Sequence, residues 1–317
     1  MYFPYLRGKQ FELMALRDMS SFLALNNEKV SPIIEPVKFS TTFDITLRKL
    51  KESNVNFTIV LNPEYGDAQD KYEQIMELVT TELGDYSNFQ IGLIINDNYF
   101  LKASEIKGCL VTTGPVGSGL SLIHNSVLDA DNIKSLQDDL SSIAKIKYNV
   151  INFDKTNSNR RYYREFIESS RVSLADYFES QNRNSDYKDK SSAFTEEHLF
   201  YKTEQFVGFG DFATIGDNYS EAGFMPFAVA IHISYKDTSG KVMVRHFVSD
   251  SNGDRSDVAG KFNEANSKLV EWSKNTGIET QGIKEFIDLY NTGHFPGLGS
   301  IKKLAIMNHI ELMVSLV

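Results

Sequence analysis

The chain has 317 residues, of which 41% are hydrophobic, and its 33 basic and 42 acidic residues give a formal net charge of −9. This composition is ordinary for a globular protein, and the negative charge disfavours general binding to duplex nucleic acid. The single cysteine, Cys109, excludes an intrachain disulfide and a cysteine-based zinc site within the chain.

Short apolar runs that end in a polar residue recur along the chain, usually with a helical pattern after them. In Asn149–Asp154, for example, an apolar core of Val150, Ile151 and Phe153 closes on a carboxylate. We therefore predict the following strands, in chain order: Tyr2–Leu6, Ser31–Val37, Asn56–Leu61, Phe89–Ile95, Gly119–His124, Tyr148–Phe153, Arg171–Ala175 and Phe206–Gly210. Strands of this kind with helices between them predict an α/β fold, a TIM-like (β/α)8 barrel.

Helical spacing of apolar residues predicts helices between these strands. In chain order they cover Phe11–Phe22, Phe43–Lys51, Asp67–Leu83, Tyr99–Ile106, Ala130–Ile143 and Asn159–Ser169. The fifth strand has an alternative, because Cys109–Thr113 also has the composition of a strand. We choose Gly119–His124 because it keeps the polar ending, and the alternative stays open.

The pattern predicts a single barrel domain over residues 1–317 with two additions. A polar insertion at 178–197 is interpreted as a mobile lid or as disorder, and a β-hairpin is predicted at 226–248, with turn residues at Lys236–Gly240. Terminal helices at Asp257–Lys274, Gln281–Tyr290 and Ser300–Val317 follow, and with the hairpin they could form a homodimer surface. No apolar run approaches the ~20 residues of a membrane span, and the first residues lack a signal peptide's apolar core, so we expect a cytoplasmic protein without membrane contact.

In a parallel barrel the residues after each strand converge on one mouth. Here the candidate catalytic residues are Glu35, Asp97, His124, Asp154, Asp176 and Asp211, and Asn62, Asn96 and Asn125 lie in the same ring. The candidate anion-binding residues are Arg7, Lys9, Lys38, Arg160 and Arg161. Such a ring suits binding of a polar or anionic molecule, or acid/base chemistry that a divalent metal could assist. The same residue types also cap turns and helices, and the arginines also suit a solvated helix face.

The N-terminal block resembles a known family. Met1–Leu16 (MYFPYLRGKQFELMAL) and Val30–Val37 (VSPIIEPV) are similar to the opening of the bacterial and phage "beta protein" family, which has a strand, an (R/K)GK-type turn, a helix and a "TPLIE" strand. Gly210–Phe212 (GDF) resembles a later block of that family. The resemblance implies a barrel-like fold, a setting of mobile-element or phage conflict, and a small nuclease-like protein encoded nearby. The motif positions are Arg7, Gly8, Lys9, Glu35 and Asp211.

Two functions follow as expectations. The first is a ligand- or partner-binding component of a mobile-element or anti-phage defence system, acting with a nuclease-like partner. The alternative is a hydrolase that acts on a phosphate ester or nucleotide at the C-terminal mouth of the barrel. Convergence of the carboxylates on one point would favour the hydrolase, because metal and acid/base chemistry require it.

Overall fold

The computed structural model describes residues 1–112, 117–188, 190–220 and 225–317. In chain order its strands are β1 (Tyr2–Leu6), β2 (Ile33–Ile34), β3 (Phe57–Val60), β4 (Phe89–Ile95), β5 (Leu120–His124), β6 (Ile146–Asn152), β7 (Arg171–Ala175), β8 (Ser191–Thr195), β9 (Gly208–Asp211), β10 (Ala230–Lys236) and β11 (Val242–Val248). Strands β1 to β7 and β9 pair in parallel and close into a barrel, whereas β8, β10 and β11 form a separate antiparallel sheet. The predicted TIM-like barrel is confirmed.

The helices are α1 (Gln10–Asp18), α2 (Ser20–Leu25), α3 (Thr41–Glu52), α4 (Tyr72–Leu83), α5 (Asp97–Thr112), α6 (Ala130–Ser141), α7 (Glu197–Phe200), α8 (Val258–Thr276), α9 (Gln281–Thr292) and α10 (Leu298–Ser315). Short side chains cap several of them, as where Ser40 accepts the amide of Phe43 at the start of α3. In the part of the chain that the structure describes, no helix is long and apolar enough to cross a membrane.

The barrel takes its fifth strand from Leu120–His124, as predicted, whereas residues 109–112 end helix α5. Tyr99, Ile106 and Leu110 form the buried stripe of that helix, at spacings of seven and four residues. Cys109 and Leu110 therefore lie on the buried face of a longer helix than predicted, whereas Val111 is exposed. Thr113 itself lies outside the described residues.

The connection from β6 to β7 differs from its prediction. Instead of a helix over Asn159–Ser169, the chain forms short 3-10 turns at Tyr162–Glu165 and Glu168–Ser170. Side-chain hydrogen bonds compete with the helix here: the Asn159 carboxamide oxygen accepts the amide of Arg161, at 3.0 Å. The outer wall beside β6 and β7 is thus covered by turns rather than by a regular helix.

Strand register divides the barrel residues between an inner and an outer face, because side chains alternate along each strand. Val60, Gly92 and Ile123 point inward together; a Cβ on Gly92 would lie only 3.2 Å from a Val60 methyl. Their neighbours of opposite parity point outward, and Ile151 packs against Ile133 of helix α6. This alternation determines which of the polar side chains at the strand ends point into the mouth of the barrel.

The described chain divides into two compact units: Met1–Asp176 with Leu199–Asp211, and Tyr177–His198 with Phe212–Val317. The additions that we predicted as parts of one barrel domain therefore form a unit of their own. In it, β10 and β11 make the predicted hairpin, and helix α10 packs against β10.

The polar insertion at 178–197 is more ordered than the prediction of a lid or disorder. It contains β8, which pairs antiparallel with β11, and a turn at Asn184–Tyr187. Its few aromatic residues hold it in place, since Phe194 and Tyr187 are buried. These two buried aromatic residues are isolated and form no periodic apolar pattern. The composition of the segment is therefore dominated by its polar residues.

Two histidines face each other across the hairpin. His232 and His246 are register partners, and their Nδ1 atoms lie 2.8 Å apart. The Nε2 atom of His246 lies 3.0 Å from the Ser192 hydroxyl. Burial lowers the pKa of His232 to about 3 and that of His246 to about 4, so both rings are neutral near pH 7.

Candidate functional site

A continuous chain of hydrogen bonds joins the polar side chains at the C-terminal mouth of the barrel, and we call it the mouth network. It begins at Glu35, directly after β2, whose carboxylate accepts the Tyr5 hydroxyl and the Glu64 backbone amide, both at 2.8 Å. The Arg7 guanidinium lies 3.6 Å from the same carboxylate. Burial raises the pKa of Glu35, and the Arg7 charge and the two hydrogen bonds act in the opposite direction.

Glu64 is the centre of the mouth network. The Asn96 amide donates to one of its carboxylate oxygens at 2.5 Å, and the Asn125 amide donates to the other at 2.8 Å. The side-chain amide of Asn152 in turn donates to the side-chain oxygen of Asn125, at 3.1 Å. Glu64, Asn96 and Asn125 are half-buried, so this part of the network remains in contact with solvent.

The far end of the mouth network continues through backbone amides. Asn152 accepts the amide of Asp154 at 3.2 Å, and Asp154 accepts the amide of Asp176 at 2.7 Å. Asp154 is exposed and Asp176 is half-buried. The network therefore connects residues from β1 to β7, and three of the predicted catalytic residues, Glu35, Asp154 and Asp176, belong to it.

Arg7 is the cation of the mouth network. It is buried, and its guanidinium carbon lies 4.8 Å from the centre of the Tyr65 ring, which adds a cation–π contact to its pairing with Glu35. Lys9, predicted beside it, is half-buried at the start of helix α1. Glu12 is also buried there, and burial raises the pKa of its carboxyl while the Lys9 charge lowers it.

His124 lies on the outer face of the barrel wall, away from the network. Its Nε2 is 3.0 Å from the side-chain oxygen Oδ1 of Asn149, and its Nδ1 is 3.0 Å from the Tyr162 hydroxyl. These partners fix a neutral ring that donates from Nε2 and accepts at Nδ1. Burial lowers the pKa of His124 to about 4. Since both nitrogens are occupied inside the wall, this position is structural rather than that of a general base.

Asp211 also lies in the outer wall. It is fully buried, pairs in register with Ala175 and Pro4, and accepts the Tyr2 hydroxyl at 2.7 Å. Asp211 is two residues after Phe209 in β9, so the two side chains point to the same face of the sheet. The ring of Phe209 lies against the ring of Tyr2 on that face. The condition that would favour the hydrolase, convergence of carboxylates such as Glu35, Asp154 and Asp211 on one point, is therefore not met, because Asp211 points to the opposite face of the sheet.

Four of the remaining predicted residues are at the surface. Asp97 is exposed in the first turn of helix α5, where the negative charge of a carboxylate interacts favourably with the helix dipole. Lys38, Arg160 and Arg161 are exposed. Asn62 is buried and has a structural role, since its side chain bonds both the amide and the carbonyl of Ile94 at 2.8 Å.

Sequence reasoning missed the two members that join the mouth network, Glu64 and Asn152. Asn152 is the inward-facing residue one position before Phe153, so counting parity along β6 would have found it. Glu64 follows the Asn62-Pro63 turn and lies outside the strand pattern. Its position, two residues after the polar end of a predicted strand, was the one signal in the sequence that could have indicated it as a member of the network.

Within the described ranges, no group of three or more His, Cys, Asp or Glu residues is placed to hold a metal ion. Comparison of the chain with protein-family models, curated proteins and solved structures found no match. The assignment of a function therefore depends on the geometry of the mouth network and on the resemblance of the N-terminal block.

Proposed function

We propose that the protein is a binding component that recognises a neutral, hydroxyl-rich ligand at the barrel mouth and does not transform it. The observation that supports this proposal is the mouth network, in which Glu64 and three asparagines form a polar floor. Carboxylate and amide groups offer both acceptors and donors, which is the combination that a hydroxyl group needs. Half-buried members of the floor can exchange bonds with water for bonds with a ligand.

Charge favours a neutral ligand over an anionic one. The mouth network contains the carboxyl groups of Glu35, Glu64, Asp154 and Asp176, and Arg7 is the guanidinium among them. Because the guanidinium is already next to Glu35, a phosphate entering the mouth would meet an excess of negative charge. This argument separates the proposal from the phosphate-ester hydrolase that the sequence offered as an alternative.

The arrangement also favours binding over catalysis. A general base needs an acceptor that is directed at the substrate and can take up its proton, with a pKa near the working pH. Here the two oxygens of Glu64 each accept an asparagine amide, and the two oxygens of Glu35 accept a hydroxyl and a backbone amide. Those bonds hold the carboxylates as rigid parts of a floor, which suits recognition.

A thermal-shift experiment tests this function. The panel contains monosaccharides, Mg²⁺, Mn²⁺ and Zn²⁺, and the proteins are wild type, Glu64→Gln and, as a matched control, Glu77→Gln, which changes an exposed glutamate of helix α4. We expect a neutral compound to raise the melting temperature of the wild type and of Glu77→Gln, but not of Glu64→Gln. Equal shifts in all three proteins would contradict the proposal. A shift by a divalent cation alone, lost in Glu35→Gln, would favour the hydrolase.

The proposal includes a partner. The resemblance of Met1–Leu16 and Val30–Val37 to the "beta protein" family supports a role beside a nuclease-like protein in mobile-element or anti-phage defence. Co-expression with the neighbouring reading frame and size-exclusion chromatography would check it. Separate elution of the two proteins would contradict the partnership and leave the mouth proposal standing. A homodimer remains a prediction that the same chromatogram addresses.

A further inference from the structure

A second concave site lies within the barrel unit, on its outer wall, and we call it the side cleft. Its volume is about 610 Å³, within the range of roughly 300–1,000 Å³ that small-molecule sites occupy. Neutral polar residues line it together with three aromatic residues, two arginines and one carboxylate: Phe153, Tyr163, Phe206, Arg160, Arg164 and Glu204.

The side cleft exists because the crossover after β6 has no regular helix. The 3-10 turn at Tyr162–Glu165 leaves room where a helix would cover the wall, and the segment before β9 closes the other side with Phe206. Gln205 adopts a left-handed backbone conformation, with φ of 64°, directly before Phe206. A non-glycine residue in that region costs about 1 kcal/mol or more, and such strain concentrates at binding sites.

Aromatic rings form one wall of the side cleft. The rings of Tyr163 and Phe206 lie 5.1 Å apart, and Phe153 lies 6.1 Å from Phe206. Tyr163 and Phe153 are half-buried, so part of this apolar wall faces the cavity. Flat aromatic ligands stack on such surfaces, because offset and edge contacts between rings are favourable.

Positive charge is concentrated beside that wall. Arg160 and Arg164 both line the cavity, and neither forms an ion pair with any described residue. Arg164 lies over the ring of Tyr163, with its guanidinium carbon 5.8 Å from the ring centre, and Arg171 lies 5.6 Å from the same ring. Guanidinium groups match the oxygens of a phosphate in planar, forked hydrogen bonds. Glu204 adds an acceptor suited to an amino group or a hydroxyl.

We propose that the side cleft binds a small molecule in which a flat aromatic ring is linked to a phosphate, of the class of nucleoside monophosphates. The ring stacks against Tyr163 and Phe153, and the phosphate lies between Arg160 and Arg164. The site is independent of the mouth: it uses other residues and the opposite charge. The sequence pointed to Arg160 as an anion-binding residue but gave no sign of the aromatic wall.

Isothermal titration calorimetry with adenosine monophosphate, adenosine and inorganic phosphate as separate probes tests the proposal. We compare wild type, the double variant Arg160→Ala/Arg164→Ala and the matched control Arg161→Ala, which removes an exposed neighbouring arginine that does not line the cavity. We expect adenosine monophosphate to bind wild type and Arg161→Ala alike, and the double variant to bind it roughly tenfold or more weakly, because charge-assisted hydrogen bonds are lost. Circular dichroism confirms that each variant is folded.

Each probe isolates one part of the ligand. We expect adenosine and inorganic phosphate each to bind at least tenfold more weakly than the intact nucleotide, since stacking and charge pairing contribute separately. Equal affinity of adenosine and adenosine monophosphate would overturn the role of the arginines. Equal affinity of phosphate and nucleotide would overturn the aromatic wall. An unchanged affinity in the double variant, or no binding of the nucleotide at millimolar concentration, would overturn the site itself.

Discussion

The mouth of the barrel and the outer wall of the same barrel contain the same kinds of polar residue at strand endings, and use them differently. At the mouth, Asn96 and Asn125 are half-buried and donate to Glu64 at a surface that water reaches. In the wall, His124 and Asp211 are fully buried and each bonds a tyrosine hydroxyl. The difference shows that a polar residue at the end of a barrel strand is a candidate for ligand binding only when the alternation of side chains along the strand directs it toward the inside of the barrel.

The largest expected effect comes from the wall. Asp211→Ala removes the carboxylate that accepts the buried Tyr2 hydroxyl, and we expect it to lower the free energy of unfolding by about 3 kcal/mol, because a fully buried hydrogen bond is lost. Urea denaturation followed by circular dichroism measures this loss.

The matched change at the mouth is Asp154→Ala, which removes an exposed aspartate that also follows a barrel strand. We expect it to cost less than about 1 kcal/mol, since water can replace an exposed acceptor. A loss at Asp154 as large as that at Asp211 would break the comparison between mouth and wall.

The second effect is a pH dependence carried by His124. Burial lowers the pKa of its imidazole from 6.5 in the unfolded chain to about 4 in the folded one. Between these two values the unfolded state binds more protons, so the stability that is fully present above pH 6.5 is lost as the pH falls toward 4. From this group alone, the free energy of unfolding should be about 2 kcal/mol lower at pH 5 than at pH 7.5.

His124→Gln isolates that contribution, because glutamine keeps one donor and one acceptor but does not titrate. The loss between pH 7.5 and pH 5 should be about 2 kcal/mol smaller in this variant than in the wild type, with His232 and His246 contributing equally to both proteins. Proton–nitrogen NMR of the imidazole gives an independent test. A titration midpoint near 6.5 for His124 would show that the ring is not held neutral in the wall.

The same parity explains how far the sequence could predict this molecule. The barrel followed from apolar runs with helices between them, because burial on both faces makes parallel strands continuously apolar. Continuous burial also hides the alternation: in Ser121–Asn125 every residue is compatible with either face, so His124 and Asn125 could not be assigned from composition. The members contributed by loops, such as Glu64, depend on turn geometry that a strand pattern does not encode.

The smallest expected effect on stability is at the centre of the mouth network, where Glu64→Gln keeps one acceptor for Asn96 or Asn125 and loses the other. Since the site is half-buried and water can take the lost position, we expect the free energy of unfolding to fall by less than about 1 kcal/mol. Urea denaturation measures it beside the thermal-shift panel. A small stability loss together with a lost ligand response would place Glu64 in a recognition surface. A loss of about 3 kcal/mol, the cost expected for the wall, would instead make the mouth network a structural clamp that closes the barrel.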